Sequence, residues 1–324
     1  MRIGVLGTGT IANTVLKTLV RMPEVEGLAI ASRSLERANL IKESFNLDKA
    51  YGSYMDMLLD PWIDLVYIAT PEAFHYRELL SAIDNGKPVV CEKAFCINAD
   101  QARDVFSRAK QNGIFITEAC WTLFTPLAHD LKRILREQTL GPVHDMLLSV
   151  GDPLWDKVRD RGFQEGRGAL LDVGIYPIYL SYLAMGMPER VMVQGDIDPE
   201  AKIDRSESIT LVYEGGRTCH ILSSIDRTTN RNGLIVCRNG YIEVDKLVNY
   251  LQLRLYDSSR KLIDTLDAKN SITGYEYQFM AAKEAIKLGK LETTDAPWSQ
   301  TVDVLGILDD IRAAMGLRYP SEES

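Results

Sequence analysis

The sequence predicts a two-domain chain: an α/β domain built on a parallel sheet, followed by an α+β domain carrying a large, mostly antiparallel open sheet. From Met1 to about Cys120, short β-branched runs alternate with amphipathic helical stretches, the rhythm of a parallel sheet covered by helices. After Cys120 that rhythm gives way to helical stretches and a long series of strands joined by short turns. A length of 324 residues exceeds one typical domain, so two hydrophobic cores are expected.

Taken in order, strands are expected at Arg2–Leu6, Leu28–Ser32, Leu65–Ala69, Val89–Glu92 and Phe115–Glu118, with helices at Ile11–Arg21, Leu35–Phe45, Phe74–Asn85 and Ala99–Asn112. Asn85-Gly86 and Asn112-Gly113 stop the last two helices, since these residues accept the backbone of a helix C-terminus. In the second part, helices are expected at Leu127–Glu137 and Leu170–Ala184. Strands follow at Val143–Val150, Arg190–Gly195, Ser208–Tyr213, Thr218–Ser224, Gly233–Arg238, Tyr241–Val244 and Tyr250–Tyr256. Glu214-Gly215-Gly216 and Asn239-Gly240 are turn signals between neighbours. Helices at Glu276–Leu288 and Gln300–Met315 close the chain. The expected division is 1–120 and 121–324, with the C-terminal helices able to return to the first domain. An open sheet needs its second face covered, most economically by another copy of itself, so a homo-oligomer, a dimer through the C-terminal sheet, is expected.

Composition narrows the function classes. With 46% hydrophobic and 25% charged residues, collagen-like and disordered classes are excluded. The 37 basic and 45 acidic residues give a net charge of −8. No broad cationic surface for a nucleic acid is expected. Cys91, Cys96, Cys120, Cys219 and Cys237 are scattered and form no zinc-type pair. Reduced thiols and a cytoplasmic location are therefore expected. Arg2-Ile3-Gly4-Val5-Leu6 reads as a first strand and not a signal peptide. No apolar run approaches the ~20 residues that span a bilayer, so no membrane association is expected. His75, His129, His144 and His220 form no HxH or HExxH pair, and no metal site is expected.

Gly7-Thr8-Gly9-Thr10-Ile11-Ala12 follows the first strand and opens the first helix, the context in which GxGxxA signals a dinucleotide. Gly7 allows the tight turn, Gly9 lets the backbone approach a pyrophosphate, and Ala12 lets the helix pack closely. At the end of the second strand, an NAD site places an acid to hold the ribose hydroxyl. Here the residues are Ala31-Ser32-Arg33-Ser34, with Arg37 one turn on. Positive charge and hydroxyl donors suit a 2′-phosphate. NADP is thus the expected cofactor, with NAD as the alternative. The competing reading of Arg33 and Arg37 is a solvated helix start.

Further along stand Asp64-Leu65-Val66-Tyr67-Ile68-Ala69-Thr70-Pro71, His75-Tyr76, and Gly86-Lys87-Pro88-Val89-Val90-Cys91-Glu92-Lys93. This combination resembles the family named for glucose-fructose oxidoreductase, inositol dehydrogenase and MocA. Glu118-Ala119-Cys120-Trp121 and Gly168-Ala169-Leu170-Leu171-Asp172-Val173-Gly174-Ile175-Tyr176-Pro177 extend the match over nearly the whole chain. Within the family it is most similar to the branch of dimeric dihydrodiol dehydrogenases and NADP-dependent D-xylose 1-dehydrogenases. The resemblance implies a Rossmann domain and hydride transfer between NADP and a sugar, polyol or trans-dihydrodiol. It also implies cofactor contacts from Thr70, Pro71, His75, Glu92 and Lys93. One position departs from it: relatives usually read Glu-Lys-Pro, often with a cis peptide before the proline, whereas residue 94 is Ala. A cis bond before a non-proline residue costs about 2.5 to 4 kcal/mol, which leaves the isomer at Lys93-Ala94 open.

Alcohol oxidation needs a hydride acceptor, a base for the hydroxyl proton and a group that steers the base. Lys93 and Tyr176 are the candidates, since an ammonium stabilises a phenolate. Asp172 and Tyr176, four apart on an expected helix, share a face. By resemblance, Asp172 holds the substrate or Lys93 and Tyr176 exchanges the proton; an aromatic such as Trp121 beside the nicotinamide suits the apolar face of a sugar ring. Duller readings stay open: a surface lysine at a strand end for Lys93, a half-buried helix residue for Tyr176, packing for Trp121 and a hydrogen-bonded helix start for His75. Trp155, Arg159, Arg161 and Arg167 lie on a segment that could select substrate. The alternatives are an NADPH-dependent keto-sugar reductase and a regulator that binds the dinucleotide without turnover.

Overall fold

The computed structural model describes residues 1–160 and 166–319, which fall into two units. The first comprises Met1–Phe124 with Asn270–Val302, and the second Thr125–Lys269 with the residues from Asp303 onward. The first unit runs β1 (Arg2–Leu6), α1 (Thr10–Leu19), β2 (Gly27–Ala31), α2 (Leu35–Phe45), β3 (Lys49–Tyr51), α3 (Tyr54–Leu59), β4 (Leu65–Ile68), α4 (Glu72–Asp84), β5 (Val89–Glu92), α5 (Ala99–Asn112) and β6 (Ile116–Ala119), ending in a 3₁₀ turn, Trp121–Phe124. The second begins with α6 (Pro126–Arg136), β7 (Val143–Gly151), α7 (Trp155–Asp160), a π turn (Leu170–Gly174) and α8 (Ile175–Met185). Six further strands follow: β8 (Arg190–Asp198), β9 (Ile203–Tyr213), β10 (Arg217–Ser224), β11 (Gly233–Cys237), β12 (Gly240–Asp245) and β13 (Gln252–Asp257), with β14 (Leu262–Asp267) at the edge. Helix α9 (Glu276–Lys287) belongs to the first unit, and α10 (Trp298–Met315) closes the chain.

Alternation within β1 sets the layers of the first unit. Ile3 and Val5 are buried in one core with Val15, Leu16 and Leu19 of α1 and Phe279 and Ala282 of α9. Gly4 points the other way, where a Cβ would stand 2.7 Å from Met57 Sδ of α3. Helices therefore cover both faces, as an all-parallel sheet requires. The strand order is β3-β2-β1-β4-β5-β6, all parallel. Its order reverses between β1 and β4, and the carboxyl ends of strands at such a switch point form the ligand crevice of doubly wound sheets.

The second unit is an eight-stranded sheet in the order β14-β13-β12-β11-β7-β10-β9-β8. Every neighbouring pair is antiparallel except β7 with β10. Met146, Leu148 and Val150 of β7 are buried, while Leu147 between them is 51% exposed. One face is thus core and the other open. The mostly antiparallel sheet agrees with the sequence expectation.

Four elements go beyond that expectation: β3, α3, α7 and β14. The first three span three to six residues, too few to display a period. β14 is almost wholly exposed, and its Leu-Ile-Asp-Thr-Leu-Asp lacks a buried face. The helix expected over Leu170–Ala184 is two pieces, the π turn and α8. Pro177 has no N–H to bond the Val173 carbonyl, so the α ladder is interrupted there. Ser223 Oγ of β10 donates to the Ala169 carbonyl at 3.1 Å.

Candidate active site

In the first unit the turn after β1 is tight and open on its helix side. Gly7 has φ +104°, and a Cβ on it would lie 2.8 Å from the Ala69 carbonyl oxygen. Its amide donates to the Ala31 carbonyl at 3.0 Å. Gly9 precedes α1 without a side-chain cap, and the first turn carries no acid. A Cβ on Gly9 would meet no protein atom within 4 Å. The face of the N-terminal amides therefore stays open, which fits a pyrophosphate. Thr8 and Thr10 flank Gly9, Ile11 is half-buried and Ala12 fully buried against the sheet. Asn13, overlooked in the sequence, holds the turn: its Nδ2 donates to the carbonyls of Gly9 (2.8 Å) and Thr8 (3.2 Å).

At the end of β2, Ser32 is buried and its amide donates to the Tyr51 carbonyl. Ser34 caps α2 through the Arg37 amide. Arg33 and Arg37 are both exposed. The Arg33 guanidinium lies over the Phe74 ring, 6.0 Å from its centroid.

The loops after β4 and β5 are tied together by a buried imidazole. His75 Nε2 lies 2.9 Å from the Thr70 carbonyl and Nδ1 2.9 Å from the Ala94 carbonyl. Burial lowers its pKa, opposed by Glu72 and the carbonyls. A neutral ring has one N–H and donates to only one of the two oxygens. Pro71 stands at the start of α4. Thr70 is buried, and its hydroxyl donates to the Glu78 carboxyl. The Lys93-Ala94 peptide is cis. On the far side of it, the Phe95 amide donates to Glu118 Oε1 at 3.2 Å, and Thr301 Oγ1 donates to Oε2 at 2.8 Å. His75 and Glu118 thus fix the backbone that follows Lys93. Glu92 is buried beneath the Tyr67 hydroxyl, which donates to it. Burial pushes the Glu92 carboxyl up to about 7, against the Tyr67 hydrogen bond and the Lys93 charge.

Trp121 stacks on Tyr275, ring centroids 4.4 Å apart at 20°. Gly274 makes this contact fit, because a Cβ there would lie 2.8 Å from the indole. The turn is held by Glu276, whose carboxylate accepts the amides of Ile272, Thr273 and Gly274 at 2.7 to 3.0 Å. These amides hold its pKa below the ordinary value despite burial.

In the second unit, Asp172 sits on the π turn and Tyr176 in the first turn of α8, 8% exposed. Four residues make close to one full turn in either helix type, so the two lie on one face. Arg167 Nη1 donates to Asp172 Oδ1 at 2.8 Å, which assigns this arginine a partner. Arg159 pairs with Asp156 and Asp160 on the surface. Trp155 packs against the cluster of Val150, Ala169, Val173 and Ile225. Arg161 lies outside the described residues. Among the described residues no group of three or more His, Cys, Asp or Glu could hold a metal ion, and no helix is long and apolar enough to cross a membrane.

Comparison with known proteins adds to this geometry. A family described as an oxidoreductase family with an NAD-binding Rossmann fold matches residues 1–119, and the GFO/IDH/MocA C-terminal domain matches residues 128–243. The trans-1,2-dihydrobenzene-1,2-diol dehydrogenase of Mus musculus is 29% identical, covering 100% of this chain and 99% of its own. That of Sus scrofa is 28% identical with the same coverage. Among solved structures, a 3-ketoreductase from Actinomadura kijaniata in complex with NADP and TDP-benzene superposes with a TM-score of 0.86 at 22% identity, covering 97% of each chain. The aldose-aldose oxidoreductase of Caulobacter crescentus gives 0.85 at 20% identity, covering 98% of this chain and 97% of its own. The glycine turn of an NAD-binding Rossmann domain, the Glu92-Lys93 strand end and the two matched family domains together place the chain in the GFO/IDH/MocA family of oxidoreductases.

Proposed function

We infer that this oxidoreductase is an NADP-dependent dehydrogenase acting on a CH–OH group of a sugar, polyol or trans-dihydrodiol. The observation that carries the cofactor choice is the end of β2. Ser32 and Arg33 stand there in place of an acid, and among the described residues the Arg33 guanidinium has no carboxylate partner. A 2′-phosphate supplies the missing anion, and charge-assisted bonds from arginine to phosphate are strong.

When bound, the nicotinamide supplies the hydride acceptor or donor. Tyr176 exchanges the hydroxyl proton with substrate. Lys93 supplies positive charge that stabilises oxygen as its proton leaves. Asp172, held by Arg167, orients substrate hydroxyls. Trp121, stacked on Tyr275, offers an aromatic face to a ring. The dihydrodiol dehydrogenases among the relatives support a cyclic, hydroxylated substrate.

A dimer through the open face of the second sheet belongs to the same reading. Leu147 and Met192, each 51% exposed, and Leu222, 42% exposed, lie on that face. A groove of about 530 Å³ runs over it between Leu147, His220, Leu222 and Asn232. Apolar area of this kind favours a partner, and sedimentation velocity reads the mass. All five cysteines are free and buried, which suits a reducing cytoplasm.

The deciding experiment is a spectrophotometric screen of NADP reduction, with NAD in parallel, against pentoses, hexoses, inositols and a trans-dihydrodiol. NADP-specific turnover of one of them supports the reading. Silence across the panel with tight NADPH binding moves the assignment to a keto-sugar reductase or a regulator without turnover.

A further inference from the structure

The carboxyl edge of the first sheet holds two arginines on one phenyl ring. Arg33, just after β2, lies 6.0 Å from the Phe74 centroid, and Arg77, one turn beyond Phe74 on α4, lies 5.6 Å from the same centroid. Both are exposed, and among the described residues neither guanidinium has a hydrogen-bond or ion-pair partner. Glu78, which lines the same cavity, does not pair with them: it is buried, and its carboxyl accepts the Thr70 hydroxyl. Arg33, Arg77 and Glu78 line a cavity of about 380 Å³ with Leu6, Ser53 and Tyr54. Two like charges converging on a neutral ring repel each other, and an anion placed between them reverses the sign of that interaction. Arginine's planar fork suits a phosphate monoester, and the phenyl ring steers each guanidinium without competing for its donors.

We propose that Arg77 is a specificity-determining residue that closes with Arg33 on the 2′-phosphate of NADP, with Phe74 as the platform that holds both arms. The proposal rests on the NADP assignment above. It adds to the strand-end arginine a second donor from a different element.

Isothermal titration of the full chain tests it with 2′,5′-ADP, 5′-AMP and inorganic phosphate as probes, comparing the wild type with Arg77→Gln. The wild type binds 2′,5′-ADP at least about tenfold more tightly than 5′-AMP, and Arg77→Gln removes about tenfold of the 2′,5′-ADP affinity while leaving 5′-AMP unchanged. The 5′-AMP arm also shows that the variant is folded. A wild type that prefers 2′,5′-ADP and an Arg77→Gln variant that prefers it equally would overturn the role of Arg77 and leave the NADP assignment standing. A wild type that does not discriminate the two nucleotides overturns both. Loss of inorganic phosphate binding alone, with both nucleotides unaffected, overturns the nucleotide assignment of the arginine pair.

Discussion

The Asp204 carboxylate of β9 accepts the Leu170 amide at 2.6 Å and fills the space that a side chain on Gly168 would need. A Cβ on Gly168 would stand 2.1 Å from Asp204 Oδ1, on a backbone with φ +149°. This contact fastens the start of the π turn that carries Asp172. Gly168→Ala is expected to destabilise the second unit by about 2 to 4 kcal/mol through overpacking and an unfavourable φ. Asp204→Ala, which leaves the Leu170 amide without its acceptor, costs about 1 to 3 kcal/mol. Denaturant titration followed by circular dichroism checks both, and wild-type stability in either variant contradicts the fastening role.

Glu207 stands beside Asp204 because β9 bulges at Arg205: Asp196 of β8 pairs with Ser206 and Ile197 with Asp204. Both carboxyls are buried on one face, where a regular strand would send residues three apart to opposite faces. Burial first, and then the Asp204 charge, push the Glu207 carboxyl well above its ordinary 4.5. The folded chain therefore keeps a proton that the unfolded chain releases above about pH 4.5. The stability from this group is full below that value and falls as pH rises toward the folded pKa. Glu207→Gln carries no such proton, so its Tm should gain on the wild type as the pH rises above the ordinary carboxylate value of 4.5. Parallel Tm curves would show that Glu207 is not held protonated.

Tyr176→Phe keeps the ring and removes the hydroxyl. Loss of a general acid–base group lowers kcat by about a hundredfold or more, and NADPH binding, measured by fluorescence quenching, stays near that of the wild type. Near wild-type kcat would move the proton transfer to Lys93 or a water.

Much of the first unit was legible because its signals are local. Gly7, Gly9 and Ala12 sit at fixed offsets after a β-branched run, and four of the five strand-helix units before Cys120 show in the sequence pattern. Glu92-Lys93 and Asp172 with Tyr176 are singled out as candidates by resemblance, and the four-residue spacing alone puts the last two on one face. What stayed hidden is tertiary. No local pattern brings Arg77 of α4 to Arg33 after β2, or Arg167 to Asp172 across a π turn. Ile-Asp-Arg-Ser-Glu reads as a polar break, and the bulge that makes Asp204 and Glu207 neighbours also hides the start of β9. Tyr275 gave no signal of its own, because its meaning comes from Trp121 lying over Gly274.

The NADP assignment is tested most directly by kcat/KM for NADP and for NAD on one active substrate, in the wild type and in Arg33→Asp. The wild type should favour NADP, and the variant should raise the KM for NADP by tenfold or more, with a far smaller change for NAD, since an acid there repels a phosphate and suits a ribose hydroxyl. An unchanged ratio of the two cofactors in Arg33→Asp would contradict the assignment of NADP to this chain.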